Sequence, residues 1–261
     1  LANEIVSRNV RDPHVTITAE HVDAAKETLI LERRSHIDSL VARLREPRVQ
    51  RILAPMLTGE RTGQDVLDDD FAYVLGLGLV TLQNRHYEIA NPIYREVIPR
   101  ALTFNQQAQL HFETSTFVRP DGSFDMPKLM HEWQEFWRKD GHLAAAAFGY
   151  QEAGPHLMLM AFLQRIVNGG GRIEREYALG RGALDLLITW RDERHAIEVK
   201  LRRDSSTEAD AVKQLGRYLD HLGLSQGWLL LFDLRKSPGW KKKLFLRKKK
   251  HGAKQILVVG S

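Results

Sequence analysis

Two carboxylates and one ammonium stand close together on two neighbouring apolar stretches of the chain. Asp185 lies within residues 182–190, and Glu198 and Lys200 lie within residues 196–201. Because side chains alternate between the two faces of a strand, Glu198 and Lys200 point to the same face. If the two stretches pair as strands, the three groups form a site that can bind a divalent metal and hydrolyse a phosphodiester.

The surroundings of Asp185 favour a metal site over a surface ion pair. Its neighbours on both sides are apolar, and a buried carboxylate is costly unless it meets a cation. Mg²⁺ prefers oxygen ligands and keeps several waters, so Asp185, Glu198 and the Val199 carbonyl would suffice as protein ligands. Lys200 would then orient or deprotonate a water, or neutralise transition-state charge. The alternative is that Glu198 and Lys200 form a weak ion pair on an exposed strand, since a Glu-x-Lys tripeptide is common.

The elements predicted around this site alternate between helix and strand. Apolar periodicity predicts a helix over 155–167, strands over 172–178, 183–190 and 195–201, a helix over 211–222, and strands over 228–232 and 255–259. Gln214 and Tyr218 are four residues apart on the predicted 211–222 helix, so they share a face. We expect both side chains to turn toward one pocket.

Gly182-x-x-Asp185, Glu198-Val-Lys200 and Gln214-x-x-x-Tyr218, in this order of elements, resemble the PD-(D/E)XK nuclease superfamily over residues 151–261. The resemblance implies a restriction-endonuclease-like α/β core with a central mixed sheet. It also implies Mg²⁺ (or Mn²⁺) bound by Asp185 and Glu198, with Lys200 catalytic and Gln214 supporting the site.

The chain departs from the family pattern at two points. The proline of the family motif is absent before Asp185, and Glu152, the nearest counterpart of a further metal ligand on the first helix, precedes Pro155. Some members of the superfamily keep the fold without cleaving.

The preceding part of the chain is predicted to be mostly helical. We expect a helical segment over 1–46, a winged helix over 47–103 and a helical connector over 104–150. Asp68 is a plausible N-cap, strands are expected over 78–82 and 87–90 with a turn at Asn84, and Asn91-Pro92 opens the next helix. The aromatic helix expected over 126–137 favours packing between domains over stacking on bases.

Residues 21–31, 34–40 and 91–96, together with the predicted wing, resemble the region after the ATPase core of bacterial AAA-type ATP-binding proteins. Some of these proteins carry a C-terminal PD-(D/E)XK domain. The chain has no Gly-x-x-x-x-Gly-Lys-[Ser/Thr], so the resemblance implies ATP only through an ATPase domain or subunit upstream of Leu1. The second helix of the predicted winged helix opens with three aspartates, 68–70, which repel phosphate and favour a protein contact over DNA reading.

Composition excludes several classes of function. The chain of 261 residues is 43% hydrophobic and 27% charged, and it has no cysteine, so disulfides and thiolate metal sites are excluded. This predicts a reducing, cytoplasmic location. No apolar run reaches the roughly 20 residues that span a bilayer, which predicts no membrane partner. No His-Glu-x-x-His motif occurs.

The positive charge is concentrated near the end of the chain. The net charge is +5, and residues 235–254 hold ten lysines and arginines and no acidic residue. Such a block favours a polyanion, although a solvated hairpin is the alternative. The residues predicted to contact nucleic acid are Lys241, Lys242, Lys243, Arg247, Lys248, Lys249 and Lys250.

Three functions follow, of which the first is favoured. The first is Mg²⁺-dependent hydrolysis of DNA, with the chain as the C-terminal part of an AAA-type ATP-binding protein. A homo-oligomer is a further expected partner, because cutting two strands often needs two sites. The second is a catalytically silent DNA-binding or regulatory module of such an ATPase. The third is a structural protein-binding module, which the basic block disfavours.

Overall fold

The chain forms two compact units, described by a computed structural model. One unit comprises residues 1–56 and 61–102, and the other comprises residues 57–60 and 103–261. The structure describes residues 14, 16–18, 21–22, 25, 28, 35–57, 68–83, 86–109, 114–142, 153–167, 170–179, 182–202, 204–235 and 239–261. Most of residues 21–31, the turn at Asn84, residues 144–150 and Glu152 lie outside the described residues.

The first unit contains helices and a two-stranded hairpin. The helices are α1 (Ser35–Arg43), α2 (Pro47–Leu57), α3 (Asp69–Gly76) and α4 (Pro92–Gln109), the last of which continues past residue 102; β1 (Val80–Gln83) pairs antiparallel with β2 (His86–Ile89). The predicted caps are confirmed. The Asp68 carboxylate accepts from the Asp70 and Phe71 amides, and the Asn91 side chain accepts from the Tyr94 amide.

The second unit is built on a mixed sheet. Its elements are α5 (Met126–Phe136), which runs into a π-helical turn (Trp137–Gly141), α6 (Gly154–Val167), β3 (Gly171–Leu179), β4 (Gly182–Trp190), β5 (Glu193–Leu201), α7 (Thr207–Leu222), β6 (Gln226–Phe232), α8 (Trp240–Lys243), β7 (Phe245–His251) and β8 (Lys254–Gly260). Among the described residues the sheet has six strands in the order β3-β4-β5-β6-β8-β7. Strand β6 runs parallel to β5 and β8, and the other neighbours are antiparallel. The expected α/β core with a central mixed sheet is confirmed.

Helix α7 covers one face of this sheet. Its buried side chains, among them Leu215 and Leu219, pack with Leu187 of β4, Ala196 of β5 and Ile256 of β8. The helix ends where Gly223 adopts a left-handed φ of 67°, which suits glycine. Residues of β4 and β5 that are an even number of positions from Leu187 and Ala196 therefore point toward the α7 face.

Aromatic side chains cover the opposite face. Trp133 and Trp137, from α5 and its π-helical turn, lie edge-on to Phe232 of β6, and Trp133 also meets Phe162 of α6. Trp133 and Trp137 are almost fully buried. The aromatic residues of the 126–137 stretch therefore pack on α6 and β6 of the predicted 151–261 segment, as expected of packing between the predicted domains, and all of these contacts lie within one compact unit.

Strand β7 was not predicted as a strand, although a hairpin was the alternative given for the basic block. It pairs with β8 from Phe245↔Gly260 to His251↔Lys254 and forms an edge of the sheet. Its middle residues are exposed and basic, so the period-2 apolar signal of a strand is absent. None of the described helices is long and apolar enough to cross a membrane.

Candidate active site

Asp185 lies where the pairing between β4 and β5 ends. The ladder between these strands runs from Trp190↔Glu193 to Leu186↔Ile197. At the next position the Asp185 carboxylate oxygen Oδ2 accepts a hydrogen bond of 2.7 Å from the Val199 amide. Since Asp185 is two residues from Leu187, it points to the α7 face. The backbone of β5 thus fixes the orientation of the carboxylate.

Glu198 is the most deeply buried acidic residue among those that the structure describes. Its side chain is fully buried, and neither carboxylate oxygen has a hydrogen-bond partner among the described residues. Lys200 Nζ lies 2.7 Å from Oε1, so the two groups form an ion pair, but the approach does not meet hydrogen-bond geometry. Burial, followed by the negative charge of Asp185, raises the pKa of Glu198 to about 8.

Lys200 completes the cluster on the same face. Its Nζ lies 4.0 Å from Asp185 Oδ2, and its side chain is 32% exposed. Burial lowers the pKa of Lys200, but the negative charges of Asp185 and Glu198 outweigh this effect and raise the pKa above its ordinary value. The lysine therefore carries its positive charge beside both carboxylates while part of its side chain reaches solvent.

The donor set fits a hard divalent cation. Glu198 is buried on the same face as Asp185, so a bound cation would lower the pKa of Glu198 and compensate the charge of the ionised carboxylate. Within the described ranges, no three His, Cys, Asp or Glu side chains come together as a metal-binding group. A cation here would keep water or substrate oxygens in its remaining positions, as Mg²⁺ commonly does.

Gln214 and Tyr218 lie beside the cluster on α7. Gln214 Nε2 donates a hydrogen bond of 3.0 Å to Tyr218 Oη, and Tyr218 also contributes to the raised pKa of Lys200. The predicted shared face of the two side chains is thus confirmed. No hydrogen bond or ion pair joins Gln214 to Glu198 or Lys200 among the described contacts, so Gln214 reaches the site through Tyr218.

Residues 151–227 match the family model described as the endonuclease NucS C-terminal domain. This domain is of the restriction-endonuclease-like PD-(D/E)XK type, so the resemblance seen in the sequence is confirmed over those residues. The matched segment contains Asp185, Glu198, Lys200 and Gln214, together with the helix and strands that carry them. No curated protein and no solved structure matches the chain.

The predicted nucleic-acid-binding residues lie beyond the matched segment, in α8 and β7. The structure gives them unequal surroundings. Lys243 Nζ donates to the Arg235 carbonyl. Arg247 forms an ion pair with Glu208 on the first turn of α7, and Lys249 Nζ lies 4.0 Å from the same carboxylate. Lys241, Lys242, Lys248 and Lys250 are exposed and form no ion pair with any described residue.

Two contributors were missed by sequence reasoning. The Val199 amide, which anchors Asp185, carries no sequence signal because any residue other than proline supplies an amide. Glu208, the ion-pair partner of Arg247, also gives no sequence signal, because it lies on α7, far in sequence from the basic residues 235–254. The alternation of Arg247 and Lys249 with Lys248 would have indicated two different faces, had β7 been recognised as a strand.

Proposed function

We propose that the chain hydrolyses phosphodiester bonds of DNA, using a divalent metal held by Asp185 and Glu198. One observation carries the proposal: the fully buried Glu198 lies beside Asp185 and Lys200 in one cluster, where a single ammonium faces two carboxyl groups. A structural ion pair needs one carboxylate for one cation, and a second buried carboxyl group at the same ammonium adds a cost that a bound metal would offset. The match of residues 151–227 to a nuclease domain supports the same chemistry.

Each residue has a role that follows from its position. A bound Mg²⁺ or Mn²⁺ would polarise the phosphate and lower the pKa of the attacking water. The Val199 amide holds Asp185 in one orientation. Lys200, charged and partly exposed, stabilises the negative charge that develops on the phosphate or orients the water. Tyr218, held by Gln214, lies near enough to Lys200 to favour the charged form of the ammonium.

The first unit is assigned a role in protein contact. Its elements follow the order α2, α3, β1, β2 and α4, and the winged helix stays a prediction. Arg51 contacts Asp68 at 2.6 Å and Asp70 at 2.8 Å and so offsets only part of the negative charge at the start of α3. Linkage to an AAA-type ATPase, assembly into a homo-oligomer and a cytoplasmic location stay predictions.

The test is metal-dependent cleavage by the full chain. Single-stranded, duplex and branched DNA are incubated with Mg²⁺ or Mn²⁺, and the wild type is compared with Glu198→Gln. This variant preserves side-chain volume but removes the charge, so we expect cleavage to fall at least about 100-fold with the fold retained. Glu46→Gln, a substitution of a partly exposed glutamate in the other unit, is the matched control. Cleavage by Glu198→Gln at the wild-type rate would contradict the proposal.

The second candidate is a module that binds DNA without cutting it. The observation in its favour is that the described residues supply only two carboxylates, with Lys200 already neutralising part of their charge. Calorimetry with Mn²⁺ separates the two candidates. The nuclease predicts metal binding that is lost in both Asp185→Asn and Glu198→Gln, whereas the silent module predicts no heat that depends on either residue.

A further inference from the structure

The basic residues of β7 divide between the two faces of the sheet. Directly paired residues of antiparallel strands point to the same face. Arg247 pairs with Val258 and Lys249 pairs with Ile256, and both of these β8 residues belong to the core under α7. Arg247 and Lys249 therefore lie on the α7 face, where both come within ion-pair distance of Glu208.

The alternate residues lie on the opposite face. Lys248 pairs with Leu257, and Leu257 pairs in turn with Trp228 of β6. Trp228 alternates with Leu229 and Leu231, which pack under α7, so Leu246, Lys248 and Lys250 point away from that helix. Leu246 is 52% exposed, and both lysines are exposed without an ion-pair partner among the described residues.

Helix α8 lies on this second face as well. Its Trp240 ring is 4.9 Å from the ring of His142, which directly follows the π-helical turn that carries Trp137. Trp137 packs on Phe232, whose side chain points away from α7. Lys241 and Lys242 of α8 are exposed. Lys248 and Lys250 therefore point to the face opposite Asp185, Glu198 and Lys200, and α8, which carries Lys241 and Lys242, packs on the same face. None of the four lysines has an acidic partner in the described chain.

We propose that Lys241, Lys242, Lys248 and Lys250 form a surface that binds the phosphate backbone of duplex DNA. This surface, the outer lysine face, is separate from the cleavage site and gives affinity without chemistry. The choice of DNA rests on the proposed function, while the choice of residues rests on strand alternation and on the ion pairs of Glu208. Arg247 and Lys249 fasten β7 to α7 and contribute little to binding.

The test measures binding without cleavage. Fluorescence anisotropy of a labelled duplex is recorded with the full chain in EDTA over a series of salt concentrations, so that the result does not depend on metal chemistry. Each phosphate contact contributes roughly 0.9 to the slope of log K against log salt. We expect Lys248→Gln/Lys250→Gln to lower that slope by about 2 and to weaken binding several-fold at moderate salt.

The matched control is Arg247→Gln/Lys249→Gln, which removes the same charge from the same strand on the other face. We expect its affinity and salt slope to stay within about twofold of the wild type. If this double variant has a lower melting temperature because Glu208 has lost its ion-pair partners, the triple variant that adds Glu208→Gln replaces it. A loss of binding in the control equal to that of Lys248→Gln/Lys250→Gln would overturn the division into two faces.

Three further outcomes test the surface, its ligand and its independence from the active site. Unchanged binding in Lys248→Gln/Lys250→Gln would overturn the outer lysine face itself, even if the chain cleaves DNA at Glu198. Tighter binding of a duplex RNA of the same length than of the DNA would overturn the commitment to DNA. Loss of cleavage in Glu198→Gln with full binding in EDTA would leave both the active site and the outer lysine face supported.

Discussion

Glu198 and Glu46 are both glutamates beside cations, but their surroundings shift their pKa values in opposite directions. Glu46, in the first unit, accepts from Arg43 at 2.8 Å and from Arg48 at 2.9 Å, and Tyr73 donates to the same carboxylate. The hydrogen bond from Arg43, followed by that from Arg48, lowers the pKa of Glu46 to about 2. Glu198 has one lysine nearby and no hydrogen bond from the described chain, and its pKa is raised to about 8.

The difference separates a structural ion pair from a site that needs a further cation. The guanidinium groups of Arg43 and Arg48 donate directed hydrogen bonds to the Glu46 carboxylate, which is also partly exposed to solvent. Glu198 is withdrawn from water, and Asp185 adds a second negative charge, so a single ammonium does not compensate the pair. Proximity of opposite charges is common to both places. Burial without hydrogen bonds is what marks Glu198.

The largest expected effect is the loss of DNA cleavage when Lys200, the lysine beside Glu198, is replaced. Lys200→Met keeps the length of the side chain and removes its charge, so we expect DNA cleavage to fall at least about 100-fold. Metal binding measured by calorimetry should persist, because Asp185 and Glu198 remain. Arg43→Met, which removes a cation from Glu46, should cleave at the wild-type rate. Wild-type cleavage by Lys200→Met would remove the lysine from the mechanism.

The next effect is on stability as a function of pH in EDTA. The ordinary pKa of a glutamate is 4.5, whereas that of folded Glu198 is about 8, so the folded state holds this proton more tightly than the unfolded state. The stability that the proton contributes is complete below 4.5 and is lost as the pH rises to about 8. Melting temperatures measured across this window should fall in the wild type and less in Glu198→Gln. Equal pH dependence in the two proteins would show that another group is responsible.

The smallest expected effect is the pH dependence of stability at Glu46, which has the opposite sign to that at Glu198. Its folded pKa of about 2 lies below the ordinary 4.5, so the ion pairs contribute stability above 4.5 that is lost as the pH falls toward 2. Glu46→Gln should melt slightly below the wild type at neutral pH, and the two curves should converge in acid. The effect is small because the pair is exposed and screened. A difference that persists unchanged at the lowest pH would contradict this origin.

The central residues of the site were predictable because their spacing follows the periodicity of strands and helices. Alternation placed Glu198 and Lys200 on one face, the apolar neighbours placed Asp185 in a buried strand, and helical spacing joined Gln214 to Tyr218. The strands on either side of the site were found within a few residues of their ends. These elements bury a continuous apolar surface, and that requirement leaves a clear pattern in the sequence.

The edge of the sheet was not predictable by the same reasoning. Strand β7 is held by main-chain hydrogen bonds to β8, and its lysines keep other strands from adding to the edge, so burial imposes no pattern on it. The partner of Arg247 is equally hidden, because Glu208 is distant in sequence and comes close only when α7 crosses the sheet. Tertiary pairing of this kind requires the structure.

The hydrogen bond from the Val199 amide to Asp185 gives the site its own spectroscopic reporter. An amide proton bonded to a carboxylate resonates at a frequency that depends on the charge of that carboxylate. The ¹⁵N-labelled chain should therefore show the Val199 cross-peak moving as divalent metal is titrated, and its exchange with deuterium should slow once the carboxylate is held. Occupancy of the candidate active site becomes readable from one backbone position, without substrate and without turnover.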